Sequence, residues 1–241
     1  MNNPDAIYWI AWIIAAFFIG SIPFGVIIAR AHGVDIRTVG SGNTGATNVG
    51  RALGRTWGVI CFLLDAAKGA VPVLVSGAIA GTLGAWPSEL TPLAAWGWLA
   101  VGFAAILGHI FSPILRLRGG KGVATAFGAF VSMWPLMSIP ALIGGVVFAI
   151  VHQLTRYMSL ASIVAAWSVP VTVVLIVLIE GKGGFATVLA PLVAGVAIGC
   201  LVTVRHRKNI ARIMRGTEPK TGGGDTMPRS PASGEDELSK T

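Results

Sequence analysis

Acidic side chains are scarce in this chain: Asp and Glu together number ten among 241 residues. Those before the C-terminal stretch stand alone, and no Ser, His, Asp order can be read around them. Hydrolase triads and metal-assisted chemistry therefore lack material, and neither a metal nor a cofactor is expected. Cysteine is rarer still. Cys61 and Cys200 sit inside apolar runs without CxxC or Cys/His spacing, which excludes a zinc site or a redox pair. Charge of any sign is also sparse, at 12% of residues, about half of the roughly 25% in a soluble domain. A water-soluble globular protein is excluded.

What is abundant is apolar: mean hydropathy is +0.75, and runs suited to a bilayer core of about 20 residues lie near 7–29, 57–84, 94–115, 123–138, 139–154, 160–179 and 185–204. Asp5 precedes the first run and Arg30 follows it, the reverse of a cleaved signal peptide, so the first span is expected to be retained and to enter from outside. The net charge of +8 suits cytoplasmic loops facing anionic lipid, and no nucleic acid is expected as a partner.

Topology turns on 123–154, which is either one overlong helix or two short ones. A single crossing would put Lys121 and Arg156 on opposite faces. Two crossings, with a turn around Trp134 and Pro135, put all the basic clusters on one side and leave only Lys182 on the other. The expected fold is thus an all-α polytopic bundle of seven transmembrane helices, amino terminus outside and carboxyl terminus cytoplasmic. Residues 1–218 would form the transmembrane domain, and 219–241, too poor in apolar groups to pack, a disordered cytoplasmic tail.

The connections "AWPSELTP" and "EGKGG" are short and plain, whereas those on the expected cytoplasmic face are rich in glycine and polar groups. The first, "SGNTGATNVGR" (41–51), overlaps a GxGxxG at 40–45. That fingerprint has meaning only between a strand and a helix of a soluble βαβ unit, and it is discounted here. "RGGKGVAT" is no P-loop either, since the first glycine of GxxxxGK would fall at Leu115. The chemistry is still that of anion binding. Gly42 and Gly45 let backbone amides converge, Ser41, Asn43, Thr44, Thr47 and Asn48 add neutral donors, and Arg51 adds a planar fork for phosphate oxygens.

The second polar loop, "GHIFSPILRLRGGKGVATAFG" (108–128), sets Lys121 among Gly119, Gly120 and Gly122 at a helix start, where exposed amides and the helix dipole favour an anion. The third, "TRYMSLAS" (155–162), offers Arg156 and Ser159 at another. The last, "RHRKNIARIMRGTE" (205–218), places His206 and Asn209 three apart on one helix face. Close packing and membrane orientation would also use glycines and arginines singly. Packing alone does not put anion-binding groups in every loop of one face and none of the other. Asp65 and Lys68 are spaced for an i,i+3 ion pair within a span, either functional or helix-positioning, and His109 and His152 read as structural.

These four motifs, in this order, resemble the bacterial integral-membrane glycerol-3-phosphate acyltransferases that use acyl phosphate as donor, the PlsY type. The resemblance runs to about Glu218. It implies an enzyme of phospholipid synthesis in the bacterial inner membrane, its active site facing the cytoplasm. Such an enzyme transfers a fatty acyl group from acyl phosphate to the sn-1 hydroxyl of glycerol 3-phosphate, giving lysophosphatidic acid and phosphate. It further implies membrane lipids as surroundings and an acyl-phosphate-synthesising enzyme as a candidate partner. By the same resemblance Ser41, Arg51, Lys121, Ser159, His206 and Asn209 form the catalytic set. Asn43 joins them at the site by resemblance, and Gly42, Thr44, Gly45, Thr47, Asn48, Gly119, Gly120, Gly122 and Arg156, read above as anion-binding groups, are expected to bind substrate.

Ser112–Pro113, Ala161 and Arg118 depart from the common pattern of the family without removing a ligand. Thioester-dependent acyltransferases carry a His with Asp five residues on. The residues five beyond His32, His109, His152 and His206 are Arg37, Ile114, Tyr157 and Ala211. A transporter of an organic phosphate is the competing class, and it would need polar groups through the midplane rather than on one face.

Overall fold

A computed structural model describes residues 4–180 and 185–222. The described residues form ten α-helices and two short 3-10 turns, with no strand among them. In chain order the helices are α1 (Ala6–Gly20), α2 (Phe24–Ala31), α3 (Ala46–Leu53), α4 (Arg55–Ala80), α5 (Pro92–Ile110), α6 (Val123–Val131), α7 (Ser138–Thr155), α8 (Met158–Glu180), α9 (Phe185–Arg205) and α10 (Arg207–Met214). Six helical segments are long and apolar enough to cross a membrane. Of the expected tail, 219–241, residues 219–222 are described, with the Thr221 amide bonded to the Arg156 carbonyl and Lys220 over the Tyr157 ring, while the rest of it and the loop bearing Lys182 lie outside the described residues.

α5 is the central helix, and its sequence explains why. Its Gly97, Gly102 and Gly108 open the surface so that neighbours come to van der Waals contact with the backbone. A Cβ on Gly97 would stand 2.4 Å from the Trp9 ring, and one on Gly108 would stand 2.1 Å from the Phe17 carbonyl oxygen. Trp9, Val73, Trp98, Ile106, Phe130 and Met133 close the core between α1, α4, α5 and α6. Trp98 donates its indole N–H to the Val73 carbonyl at 2.9 Å, so the one polar atom of that ring is satisfied. Outside this core the large apolar side chains point outward: Ile7, Ile10, Leu154, Leu178 and Ile179 are all exposed, as lipid contact requires.

The first apolar run, expected as one span, is broken between α1 and α2 at Ser21, Ile22 and Pro23. Proline supplies no N–H, and the carbonyls freed by the break need donors inside a bilayer. They find them at a distance: Ser112 Oγ donates to the Ser21 carbonyl at 2.7 Å, and Lys68 Nζ to that of Ile22 at 2.6 Å. The 123–154 stretch is also broken, at 132–137, where the sequence anticipated a turn. The turn contains the cis Trp134–Pro135 peptide, and the Trp134 carbonyl accepts the Gly84 amide at 2.8 Å. Residues 132–137 therefore sit with the α4–α5 connection, at the far end of the 26-residue α4 from Arg55. α6 has only nine residues, about 13.5 Å of helix.

Candidate active site

The polar loops that follow α2, α5, α7 and α9 contribute to one centre. Lys121, just before α6, donates through Nζ to Asn209 Oδ1 at 2.6 Å. Asn209, buried in α10, donates through Nδ2 to Glu218 Oε1 at 2.7 Å, and Ser159 Oγ at the start of α8 donates to the same oxygen at 2.8 Å. Arg212 Nε reaches Glu218 Oε2 at 2.7 Å. A single buried carboxylate thus joins α8 to α10 directly, and Asn209 extends the connection to Lys121.

The charges are tuned by this enclosure. Burial pushes the Lys121 ammonium down to about 8; the Glu218 carboxylate opposes the shift, while Arg212, Arg51 and Arg205 add to it. Arg51, whose charge acts on Lys121, stands on the last turn of α3. Burial alone would raise the Glu218 carboxyl, but the bonds from Asn209, Ser159 and Arg212 outweigh it and hold it low. His206 is brought down to about 4, first by burial and then by the Lys121 charge. Its Nδ1 lies 2.8 Å from the Val202 carbonyl. A carbonyl only accepts, so Nδ1 carries the proton and Nε2 keeps its lone pair.

The first loop is organised from within. Asn48 is buried and fully committed: Nδ2 donates to the carbonyls of Ile36 at 3.1 Å and Val39 at 3.0 Å, and Oδ1 accepts the Ser41 amide at 3.0 Å. Asn43 Oδ1 accepts the Gly45 amide at 2.9 Å and so closes the turn into α3. Gly42 has φ +67° and requires glycine. Thr44 is buried, its carbonyl against Gly25. Ser41, Thr47 and Arg51 remain exposed on the loop and on α3. Asn48 and Asn43 therefore shape the cradle, while Ser41, Thr47 and Arg51 are the groups it presents.

In the second loop two expected donors are turned inward. The Gly119 and Gly120 amides bond to the carbonyls of Ile110 at 3.0 Å and His109 at 3.2 Å, and their own carbonyls accept Arg205 Nη2 at 3.2 and 2.9 Å. They are glycine because nothing larger fits: a Cβ on Gly119 would stand 1.9 Å from the His109 carbonyl oxygen, and one on Gly120 would stand 2.1 Å from His109 Nε2. Gly122, at φ +84°, caps α6 and swings Lys121 toward α10. Arg156 caps α7, also at positive φ, with its carbonyl accepting the Thr221 amide at 2.9 Å and its side chain exposed.

Glu218, Arg212 and Arg205 are the participants that the sequence reading did not single out. The first two lie in the "RIMRGTE" end of the fourth motif, and only the folding back of residues 215–218 reveals what they bind. Lys121, Ser159 and Asn209 are brought together as expected, with His206 and Arg51 near enough to act on the Lys121 charge.

The comparisons with known proteins bear on what such a centre does. The family model described as glycerol-3-phosphate acyltransferase matches residues 10–216. A glycerol-3-phosphate acyltransferase of Geotalea daltonii is 44% identical over 210 residues, covering 87% of this chain and 95% of its own. One of Aquifex aeolicus is 38% identical over 206 residues, covering 86% and 95%. The crystal structure of PlsY (YgiH), an integral membrane glycerol 3-phosphate acyltransferase, in its glycerol 3-phosphate form, superposes with a TM-score of 0.73 at 37% identity, covering 89% of this chain and 96% of its own. A second structure of PlsY, in its lysophosphatidic acid form, gives 0.72 at 36% identity. This chain belongs to the glycerol-3-phosphate acyltransferase family.

Proposed function

We propose that the protein transfers a fatty acyl group from acyl phosphate to the sn-1 hydroxyl of glycerol 3-phosphate, releasing lysophosphatidic acid and inorganic phosphate. The observation that carries the reading is the bonded run from Lys121 through Asn209 and Glu218 to Ser159, with the Arg51 charge acting on Lys121. Both substrates bear phosphate. We assign Lys121 and Arg51 to phosphate charge, Ser41 and Ser159 to phosphate oxygens, and His206 with Asn209 to orienting the glycerol and acyl-phosphate ends. Holding donor and acceptor side by side makes the attack effectively unimolecular.

In the reaction the sn-1 oxygen attacks the acyl carbonyl carbon, the bond from that carbon to the phosphate oxygen breaks, and phosphate leaves with the electron pair. The hydroxyl proton needs an acceptor. His206 offers a free Nε2 lone pair, but an imidazole held at about 4 is a weak base. A phosphate monoester, with a second pKa of about 6, is the stronger one. We therefore assign the proton to a substrate phosphate and a positioning task to His206. His206→Ala should raise KM for glycerol 3-phosphate more than it lowers kcat; unchanged affinity with collapsed turnover would make His206 the base.

The membrane arrangement proposed is seven crossings, amino terminus out, with the site facing the cytoplasm of a bacterial inner membrane. The bonds from Lys121 to Asn209 and from Ser159 to Glu218 support it, since they bring both ends of the 121–159 segment to one centre. The Trp134–Gly84 bond keeps the middle of that segment at the opposite end. A path that leaves the site and returns to it favours two crossings over one.

The donor assignment is tested by supplying purified protein in lipid with glycerol 3-phosphate and, in turn, acyl phosphate, acyl-CoA or acyl carrier protein. Product from acyl phosphate alone, lost in Lys121→Ala, is the expected result. Product from a thioester at comparable rate overturns the donor assignment.

A further inference from the structure

A buried charged cluster lies beneath the site and takes no part in the chemistry described above. Asp65 Oδ1 on α4 is 2.7 Å from Lys68 Nζ and 3.6 Å from His109 Nδ1 on α5, and all three side chains are buried. An ion pair that served only α4 would close on itself. This one reaches out in two directions.

Through Lys68 it holds the first loop. Lys68 Nζ donates to the Ile22 carbonyl at 2.6 Å and lies 5.7 Å from the centroid of the Phe24 ring. It therefore fixes the break from which α2 departs. Gly25, next on α2, touches the Thr44 backbone so closely that a Cβ would stand 1.9 Å from its carbonyl oxygen. Thr44 belongs to the loop that presents Ser41.

Through His109 it holds the second. The His109 ring lies against Gly120, the residue before Lys121, and the His109 carbonyl accepts the Gly120 amide at 3.2 Å. Ser112, three residues on, completes the frame by donating to the Ser21 carbonyl at 2.7 Å. The small cavity between these elements is lined by residues of both arms, among them Pro23, Thr44, Asp65, Lys68 and His109.

We propose that Asp65 is a positioning residue: by pairing with Lys68 at 2.7 Å and standing against the buried His109 ring at 3.6 Å, it brackets the loop of Ser41 against the loop of Lys121 and so sets the separation at which the two phosphates are held. The assignment rests on the two-phosphate reading of the site. The stability argument favours it over a role as simple packing. Burying an ion pair costs desolvation that well-packed apolar side chains of similar volume avoid, so stability alone gives no reason to place charges here.

The test separates positioning from packing. Asp65→Asn removes the carboxylate charge, and the double variant Asp65→Leu/Lys68→Met removes both charges while keeping volume. Positioning predicts that the double variant unfolds in detergent at a temperature near that of the parent, yet shows kcat reduced 30-fold or more with KM for glycerol 3-phosphate changed less than threefold. It also predicts amide exchange at least tenfold faster at Ser41, Gly42, Gly45, Gly119 and Gly120, whose amides are hydrogen-bonded in the folded loops. A double variant that recovers both stability and turnover overturns the proposal, as does unchanged exchange in both loops. A parent enzyme inert with acyl phosphate would sink the donor assignment alone, because loop exchange reports the bracket without any substrate.

Discussion

Lys121 sets the pH range over which the site works. Held at about 8 in the free protein, it is charged at neutral pH and loses its proton as pH rises through that value. A phosphate dianion needs the charged form. We expect kcat/KM for glycerol 3-phosphate to fall on the alkaline side with an apparent pKa near 8, and the limb to move up by a unit or more in Lys121→Arg. A limb that stays in place in the arginine variant would assign it to another group. Glu218 works in the opposite sense. Its carboxyl is held below the ordinary value, so its contribution to stability is full above the unfolded pKa of about 4.3 and is lost as pH falls through the folded one. Glu218→Ala strands three donors and should cost about 2–4 kcal/mol in detergent unfolding; Glu218→Gln, which keeps an acceptor, should cost less. At this scale the sequence was informative about residue type. Ser, Asn, Arg and Lys in glycine-rich loops announced an anion site. It was silent on which polar atoms face inward: Asn48 and the amides of Gly119 and Gly120 are spent on folding the loops, because their partners at 36, 39, 109 and 110 are set by loop path rather than by local pattern.

At the scale of elements, the short α6 carries the most functional weight per residue, since Lys121 precedes its first turn. Its position depends on two mutual notches with α4. A Cβ on Gly128 would stand 2.0 Å from the Ala66 carbonyl oxygen, and one on Gly69 would stand 2.2 Å from that of Thr125. Gly128→Val should therefore push α6 outward, costing about 1–3 kcal/mol or more as overpacking does, and should lower turnover by displacing Lys121. Turnover unchanged in that variant would show that the α4–α6 contact does not set the lysine. The long apolar runs were legible as helices, and Trp134 and Pro135 marked the turn after α6. The break at 21–23 was not legible within an apolar run of 23 residues (7–29). Its partners, Ser112 and Lys68, lie 91 and 46 residues away in sequence. Hydropathy reports whether a segment prefers lipid; it does not report which carbonyls a distant side chain will satisfy.

For the whole molecule the governing fact is one-sidedness. Among the described residues the polar loops bearing Arg51, Lys121, Ser159 and Asn209 gather at one end of the bundle, and the other end carries Trp86, Trp134 and the short Pro87–Glu89 turn. The proposed topology makes this face external. Cysteines introduced at the exposed Ser88 and Arg118, in a background with Cys61 and Cys200 replaced, should react from opposite sides of an oriented membrane, Ser88→Cys from outside. Labelling of both from the same side would overturn the arrangement. Alternation of basic loops is the basis of the orientation proposed, because charge asymmetry is written along the chain. The part of Glu218, which bonds Asn209, Ser159 and Arg212, was not written there, being a product of how residues 215–218 fold back.

The central claim is direct transfer between two phosphates held together, with no acyl-enzyme between them. Initial rates measured over a grid of acyl phosphate and glycerol 3-phosphate concentrations test it most directly. The account predicts double-reciprocal lines that intersect and no phosphate release when glycerol 3-phosphate is omitted. Parallel lines, with a stoichiometric burst of phosphate from acyl phosphate alone, would mean that the protein takes the acyl group onto itself and would contradict it.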